Sequence, residues 1–305
     1  MTSALSAGLM IAVAAGLCGC NPRDASGGSK AETAMLADRE EQLARRMAAS
    51  DTAPPGAPLA IWILPRELRE VSGLALTADG RLLAHNDQRG RVYVLDPRRG
   101  VVVKRFFLGQ KGIRGDFEAI AVAAKAIYML TSNGDLYQFE EGEDGAEVRS
   151  VLHDTRLGKE CEFEGLAFDS ASSLLVMPCK NVFMKDLKGQ LVLYRWYLPV
   201  SAPPRMSMLK IPFTTVIGSN GWKQFRPTDI TVDPKTGNYV MISAQEKGLV
   251  EITPTGEVVR SMPLPGRHPQ AEGVAITPDG ILMVADEGVS GEPMITLYRW
   301  PLERQ

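Results

Sequence analysis

Val71-Ser72-Gly73-Leu74-Ala75 is the first of five related segments that decide the fold of this chain. In each segment a small or acidic residue leads into a short apolar strand. The other segments are Phe117-Glu118-Ala119-Ile120-Ala121, Phe163-Glu164-Gly165-Leu166-Ala167, Thr228-Asp229-Ile230-Thr231 and Ala271-Glu272-Gly273-Val274-Ala275. With Ser72, Glu118, Glu164, Asp229 and Glu272 taken as equivalent positions, the spacings are 46, 46, 65 and 43 residues. This period is close to the length of a four-stranded blade, so it predicts an all-β propeller.

Further apolar or alternating stretches follow each segment, and the turns between them predict three more strands per unit. The fifth unit lacks its last strand, because the chain ends soon after Trp300. Conversely, Ile61-Trp62-Ile63-Leu64 precedes the first unit without a partner of its own. We therefore predict that this N-terminal strand completes the last blade and closes a ring of five blades, with six blades as the alternative. The long spacing predicts loop insertions between Lys180 and Phe225.

The N-terminus has the pattern of a secretory signal. Ala4 to Leu17 form an apolar run that is too short to span a membrane comfortably, and Leu17-Cys18-Gly19-Cys20 resembles a lipobox. We expect residues 1–20 to be a signal peptide, and lipid on Cys20 to tether the protein to a bacterial membrane on its periplasmic side. An uncleaved apolar anchor or an ordinary buried segment is the alternative. The pattern leaves open whether the inner or the outer membrane carries the anchor.

Two further regions follow the signal. Residues 21–57 are predicted to be a linker, with a helix over Ala31 to Ala49 or a solvated spacer as the alternatives. Residues 58–303 are predicted to form the propeller. The formal net charge is −2, and no Lys/Arg cluster recurs on one predicted face, so nucleic acid is excluded as a partner.

The cysteines beyond the signal are Cys161 and Cys179. In an oxidising compartment this pair predicts at most one disulfide, and it gives no support to a zinc site.

The repeated acids Glu118, Glu164, Asp229 and Glu272 are candidate metal ligands. A residue at the start of a propeller's innermost strand lies beside the central channel, so these side chains are expected to converge at one end of it. Converging carboxylates either retain protons or bind a cation, and hard oxygen ligands at flexible spacing suit calcium. In the alternative interpretation each acid accepts hydrogen bonds from backbone amides of the next blade.

The innermost hairpins bring a second set of polar residues to the same rim. Among these, Lys180 would offset part of the negative charge. The predicted rim residues are Ser72, Asn86, Asp87, Ser132, Asn133, Lys180, Gln245, Asp286 and Glu287.

The chain resembles the SdiA-regulated proteins, which are relatives of the NHL-type propellers. The residues that carry this resemblance are Glu70-Val71-Ser72-Gly73-Leu74, Asp116-Phe117-Glu118-Ala119-Ile120, Cys161-Glu162-Phe163-Glu164-Gly165-Leu166, Arg226-Pro227-Thr228-Asp229-Ile230 and Ala271-Glu272-Gly273-Val274. The resemblance implies a membrane-associated, five-bladed, calcium-binding propeller, and it does not imply an enzyme. We therefore expect a binding or envelope-associated role.

Two other functions remain open. A calcium-dependent hydrolase of the lactonase or phosphoesterase type would require a base, for which His85 is the candidate because it adjoins Asn86 and Asp87. A metal-free scaffold would bind a cell-envelope protein or a small ligand, and Trp222 and Phe225 are its candidate anchors if they are exposed.

Overall fold

The computed structural model describes residues 30–50, 53–54, 56–200, 205–289 and 291–302. The predicted signal peptide and Cys20 lie outside these residues. The sheets form the five blades of a β-propeller, which confirms the predicted fold class. In the part of the chain that the structure describes, no helix has the length and hydropathy needed to cross a membrane.

The strands follow the predicted units closely. Helix α1 (Lys30–Ala48) and strand β1 (Ala60–Ile63) precede the blades. Blade 1 contains β2 (Val71–Leu76), β3 (Leu82–Asn86), β4 (Arg89–Asp96) and β5 (Val101–Leu108). Blade 2 contains β6 (Phe117–Ala123), β7 (Ala126–Thr131) and β8 (Asp135–Glu140). Two short strands follow, of which β9 (Glu147–Val148) pairs in parallel with β5 and β10 (Val151–Asp154) is the outer strand of blade 2.

Blade 3 differs from the others because its innermost strand is divided in two. It contains β11 (Cys161–Phe163), β12 (Ala167–Asp169), β13 (Leu174–Val182), β14 (Gln190–Tyr197) and β15 (Met206–Pro212). A short helix, α2 (Phe213–Val216), lies in the region where insertions were predicted. Blade 4 contains β16 (Asp229–Val232), β17 (Tyr239–Ser243), β18 (Gly248–Ile252) and β19 (Val258–Pro263). Blade 5 contains β20 (Ala271–Ile276), β21 (Ile281–Asp286) and β22 (Met294–Arg299).

Strand β1 closes the ring. It pairs antiparallel with β22, from Ala60 opposite Leu297 to Ile63 opposite Met294, so the N-terminal segment supplies the outer strand of blade 5. This confirms the predicted closure. The pairing covers an edge that would otherwise present unpaired backbone groups.

Buried apolar side chains fill the interfaces between adjacent blades. In the described ranges they form five clusters, and each cluster draws its members mainly from two neighbouring blades. Between blades 5 and 1, for example, Met283 and Leu297 pack with Leu74 and Tyr93. The apolar core is therefore a ring around the axis of the propeller.

Helix α1 packs against the seam between blades 5 and 1. Leu43 is buried there, and Arg46 donates a hydrogen bond to the carbonyl of Leu59 at 2.9 Å. Arg39 donates to the carbonyl of Arg99 at 3.1 Å, and Glu40 pairs with the guanidinium of Arg99 at 2.9 Å. The helix predicted for the linker is therefore part of the folded body.

Candidate functional site

The strand pairings define which residues are equivalent among the blades. In four blades, one residue takes the same position in the pairing of the innermost strand with the second strand. These residues are Leu74, Ile120, Ile230 and Val274. Two positions earlier in the chain stand Ser72 in blade 1, Glu118 in blade 2, Thr228 in blade 4 and Glu272 in blade 5. In blade 3 this position is taken by Glu164. Asp229 lies one residue further along and is equivalent to Gly73, Ala119 and Gly273. The predicted equivalence of Asp229 with the three glutamates was therefore wrong by one residue.

β-Bulges explain where Glu118 and Glu272 point. The pairing of the inner strand with the second strand is interrupted between Phe117 and Ala119, and likewise between Ala271 and Gly273. A bulged residue has no opposite partner, and the bend redirects its side chain. Each bulge thus turns a glutamate out of the sheet at the start of the innermost strand.

Glu118, Glu164 and Glu272 lie together at one end of the channel, and with Lys180 they form what we call the acid mouth. Lys180 Nζ donates a hydrogen bond to Oε1 of Glu164. The second oxygen of Glu164, Oε2, is buried without a hydrogen-bond partner among the described residues, and the whole residue is only 5% exposed. Glu272 is 8% exposed. Three carboxyl groups from three blades are thus removed from most of the solvent beside one ammonium group.

Burial and mutual repulsion shift the pKa values of these groups. Burial, followed by the charge of Glu164, raises the pKa of Glu118 to about 8. Burial and the same neighbour raise the pKa of Glu272 to about 9. Burial also raises the pKa of Glu164 to about 7, although Lys180 opposes that rise. Burial disfavours the charge of Lys180, but the Glu164 and Glu272 carboxylates raise its pKa overall. Near neutral pH the acid mouth therefore takes up and releases protons.

Asp229 has a different role, because its carboxylate ties blades together at the channel axis. The residue is fully buried. Its Oδ2 accepts hydrogen bonds from the backbone N–H of Val274 at 2.7 Å and of Leu74 at 3.4 Å, and its Oδ1 accepts from Ile230 at 2.8 Å. Burial raises the pKa of Asp229, and the amide groups oppose that rise by stabilising the anion. For this residue the geometry matches the alternative prediction of bonds to backbone amides.

The opposite end of the channel is mainly apolar. A cavity of about 920 Å³ opens there, and its wall includes Leu76, Val122 and Phe168 from three different blades. The two ends of the propeller thus differ in chemical character.

The predicted rim residues have diverse surroundings. Ser72 is buried and donates to the carbonyl of Glu70 at 3.2 Å, and Asn86 donates to the carbonyl of Glu67 at 3.2 Å. Gln245 accepts from Arg226 at 2.8 Å. Burial and the charge of Glu70 raise the pKa of Asp87.

Glu287 extends the negative charge of the acid mouth toward Asp87. Burial, followed by the charges of Asp87 and Glu70, raises the pKa of Glu287 to about 7. Glu287 also contributes to the raised pKa values of Glu164 and Glu272. Among the predicted rim residues, Glu287 thus couples to Glu164 and Glu272, and Asp87 couples to Glu118. Asp116 and Glu162 add to the same repulsion.

Asp286, which was predicted on the rim, lies instead in a buried polar network. His268 Nδ1 is 2.6 Å from Asp286 Oδ2, and His268 Nε2 is 2.8 Å from the Tyr298 hydroxyl. His268 and Asp286 are at most 3% exposed. The sequence offered no signal for this network, since its members belong to a loop and two strands that only the fold brings together.

Among the other candidate residues, His85 and Phe225 are buried, and Trp222 is partly buried. His85 is fully buried, burial lowers its pKa to about 4, and its Nε2 lies where a Cβ on Gly73 would clash. A base at the rim must reach solvent or substrate, so this placement argues against catalysis by His85. Phe225 is buried and packs with Trp222 at a ring-centroid distance of 5.8 Å, so Phe225 is not an exposed anchor.

Cys161 and Cys179 are joined by a disulfide, with their Cα atoms 5.6 Å apart. The bond links β11 to β13 within blade 3. It lies beside the interrupted stretch that carries Glu164, so it restrains the backbone on which this glutamate stands.

Carboxylate oxygens are the ligands that calcium prefers, so the donor chemistry of the acid mouth suits that ion. Within the ranges given above, however, no group of three or more His, Cys, Asp or Glu side chains is arranged so that it could hold a metal ion. Lys180 contacts one oxygen of Glu164, which leaves Oε2 as the free oxygen of that residue.

The family model described as SdiA-regulated matches residues 223–295. This segment contains blade 4 and strands β20 and β21 of blade 5, and the match confirms the resemblance over that part of the chain. No curated protein matches the sequence.

Solved structures share the propeller architecture. Glutaminyl cyclase from Myxococcus xanthus has 14% sequence identity and a TM-score of 0.50, and the match covers 79% of this chain and 95% of the cyclase. The PQQ-bound aldose sugar dehydrogenase from Streptomyces coelicolor has 15% identity and a TM-score of 0.48, with 80% of this chain and 99% of that one covered. At such low identity the similarity concerns the fold alone.

Proposed function

We propose that the protein is a membrane-anchored, periplasmic propeller that binds a divalent cation, calcium, at the acid mouth. One observation carries this proposal: Glu118, Glu164 and Glu272 are gathered beside Lys180, and Oε2 of Glu164 is buried without a partner. A buried acceptor without a donor is unfavourable, and a cation would satisfy it. The resemblance to the SdiA-regulated family is consistent with calcium.

Protons and a cation compete for the acid mouth. Because burial and repulsion raise the three glutamate pKa values to between about 7 and about 9, the apo site holds protons at neutral pH. A divalent cation would stabilise the ionised carboxylates and release those protons. Calcium affinity should therefore rise with pH.

Asp229 has a supporting role in this proposal. Its oxygens already accept hydrogen bonds from Val274, Leu74 and Ile230, so few lone pairs remain for an ion. We assign the three glutamates as the ligands and Asp229 as the residue that holds the inner strands beneath them. Water or backbone carbonyl groups would complete the coordination that calcium requires.

The test is differential scanning calorimetry of the purified protein and its Glu164→Gln variant, each measured in calcium and in chelator. At about pH 9, where most of these carboxyl groups are ionised, Glu164→Gln removes repulsion in chelator and should leave the melting temperature equal or higher. With calcium, the lost ligand should reduce the metal-induced rise in melting temperature. Glu257→Gln, an exposed site in the turn between β18 and β19, is the matched control and should respond as the native chain does. Equal losses in calcium and in chelator would contradict the proposal.

A further inference from the structure

A polar cavity lies next to the acid mouth, and we call it the arginine pocket. It has a volume of about 650 Å³ and is bounded by the loop before β2, the turn between β3 and β4, and the loop after β21. Its wall carries charges of both signs. The residues that matter for the argument are Arg69, Arg89, Arg91, Glu70, Asp87 and Glu287.

The arginines of this pocket are held by groups other than carboxylates. Arg69 Nε donates to the carbonyl of Gly288 at 3.1 Å, and Arg91 donates to the Tyr93 hydroxyl at 3.3 Å. The Arg91 guanidinium also stands 5.2 Å from the centre of the Phe107 ring, while its Nε is buried without a partner. These contacts fix the position of the guanidinium groups and leave donors unused.

Arg89 is also part of the basic wall, to which Arg66 contributes as well. Its guanidinium is 3.5 Å from the carbonyl of Gly112, a weak contact at most. The fork of an arginine matches a carboxylate with two parallel hydrogen bonds, and neither Arg89 nor Arg91 makes such a contact among the described residues.

The acids of the pocket have unused acceptors as well. Asp87 Oδ1 is buried without a partner, as is the amide oxygen of Asn86 beside it. Glu70 accepts from the amide of Gln88 at 2.6 Å, a neutral donor. In the described ranges no ion pair joins these acids to Arg69, Arg89 or Arg91, although all of them line one cavity. A ligand that carries both charges could therefore contact the arginines and the acids of the same cavity.

The charge pattern selects the class of ligand. A simple dianion would be repelled by Glu70, Asp87 and Glu287, and a simple cation would be repelled by the arginines. A zwitterion meets both sets of charges, since its carboxylate accepts from guanidinium groups and its ammonium donates to carboxylates. The volume falls within the range of small-molecule sites, and a tripeptide spans at most about 10 Å.

We propose that the arginine pocket binds an amino acid or short peptide with both ends free, whose carboxylate contacts Arg89 and Arg91 and whose ammonium contacts Asp87 and Glu287. The ligand would contact none of the three glutamates of the acid mouth and would require no metal ion, although Asp87 and Glu287 couple electrostatically to those glutamates.

The test is isothermal titration calorimetry of the purified protein with the common amino acids and the L-alanine di-, tri- and tetrapeptides. At least one free-ended probe should bind, and blocking its amine by acetylation or its carboxylate as an amide should each weaken binding by about tenfold or more. No heat from any free-ended probe at about 10 mM, or equal binding of the blocked forms, would overturn the proposal.

Paired variants assign the two ends of the ligand. Arg89→Gln should abolish the preference for a free carboxylate over an amide and keep the preference for a free amine. Asp87→Asn should do the reverse. Arg267→Gln, an exposed arginine on the same side of the propeller, is the matched control and should leave both preferences intact. If neither pocket variant changes either preference, the ligand binds elsewhere and the assignment is wrong.

Titration in calcium and again in chelator separates this proposal from the cation proposal. Binding of a free-ended probe in chelator supports the arginine pocket whatever the result for calcium. Binding that appears in calcium alone would show that the ligand contacts the ion and would overturn the assignment of its ammonium to Asp87 and Glu287.

Discussion

At the scale of single residues, Asp229 and Glu164 illustrate how neighbouring groups give two buried carboxylates different roles. The oxygens of Asp229 accept from backbone amides of its own blade and of blades 1 and 5. Glu164 instead has one oxygen bound to Lys180 and one without a partner among the described residues. Asp229 is thus fully engaged by rigid donors, whereas Glu164 can still accept a ligand.

Replacement of Asp229 by Ala should destabilise the protein by about 2 to 4 kcal/mol, because it leaves buried N–H groups without an acceptor. The loss should be the same in calcium and in chelator, which distinguishes Asp229 from Glu164. Urea denaturation under the two conditions measures both values. A loss confined to calcium would mean that Asp229 is a metal ligand after all.

At the scale of the element, the β-bulges and strand β1 determine what each blade presents. The bulges in β6 and β20 turn Glu118 and Glu272 toward the mouth. Strand β1 is held against blade 1 by the side chain of Trp62. This side chain packs on Gly100, and its indole N–H donates to the carbonyl of Pro97 at 3.0 Å. Gly100 has a φ of 67°, and a Cβ there would clash with the indole. A glycine and a tryptophan thus attach the closing strand to blade 1.

Trp62→Ala should weaken this attachment and cost about 2 to 3 kcal/mol of stability, since the side chain is half-buried. Hydrogen exchange of the backbone amides of β1 should also become faster than in the native chain. Ile61→Ala is the matched control, because Ile61 is 50% exposed and adjoins Trp62 on the same strand. Equal effects of the two substitutions would show that the indole does not hold the strand.

At the scale of the whole molecule, the ring of blades places groups together that are far apart in the chain. The acid mouth combines Glu118, Glu164 and Glu272 from blades 2, 3 and 5. Their electrostatic coupling therefore exists only when the ring is closed, so it makes the stability of the fold depend on pH.

We expect the stability of the calcium-free protein to fall as the pH rises from about 5 to about 9. The pKa values of Glu118 and Glu272 are raised from 4.5 to about 8 and about 9, so the folded state binds more protons than the unfolded state in this window. Hydrogen bonds from Arg81 lower the pKa values of Asp79 and Glu141. The contribution of these two carboxylates to folding stability is lost only in more acidic solution, so it does not change in this window.

Urea denaturation in chelator at several pH values measures this dependence, and the fall should exceed about 1 kcal/mol. The triple variant Glu118→Gln, Glu164→Gln, Glu272→Gln is the control, and its profile should be flatter. Calcium should reduce the fall in the native chain. A profile that rises with pH in chelator would contradict the raised pKa values.

The proposed anchor also belongs to the whole molecule. Cys20→Ala should abolish lipid attachment and release the protein from the membrane fraction, because acyl transfer requires that thiol. Metabolic labelling with a fatty-acid analogue measures the attachment. Cys18→Ala, two residues earlier, is the matched control and should retain the label. Unchanged labelling of the Cys20 variant would refute the lipobox assignment.

The sequence by itself predicted a propeller of five blades, with six as the alternative, and the strand that closes it. Of the four acids that it predicted at the channel mouth, Glu118, Glu164 and Glu272 lie together there. The sequence could predict this much because strand patterns recur at a nearly constant spacing, and the unpaired stretch at Ile61–Leu64 matched the missing strand of the last unit. Only the tertiary structure decided the role of Asp229, because a shift of one residue in register moves a side chain to the other face of a strand. The same holds for the His268–Asp286–Tyr298 network and for the arginine pocket. Their burial, pKa values and unused hydrogen-bonding groups depend on residues from distant parts of the chain, which only the closed ring brings into contact.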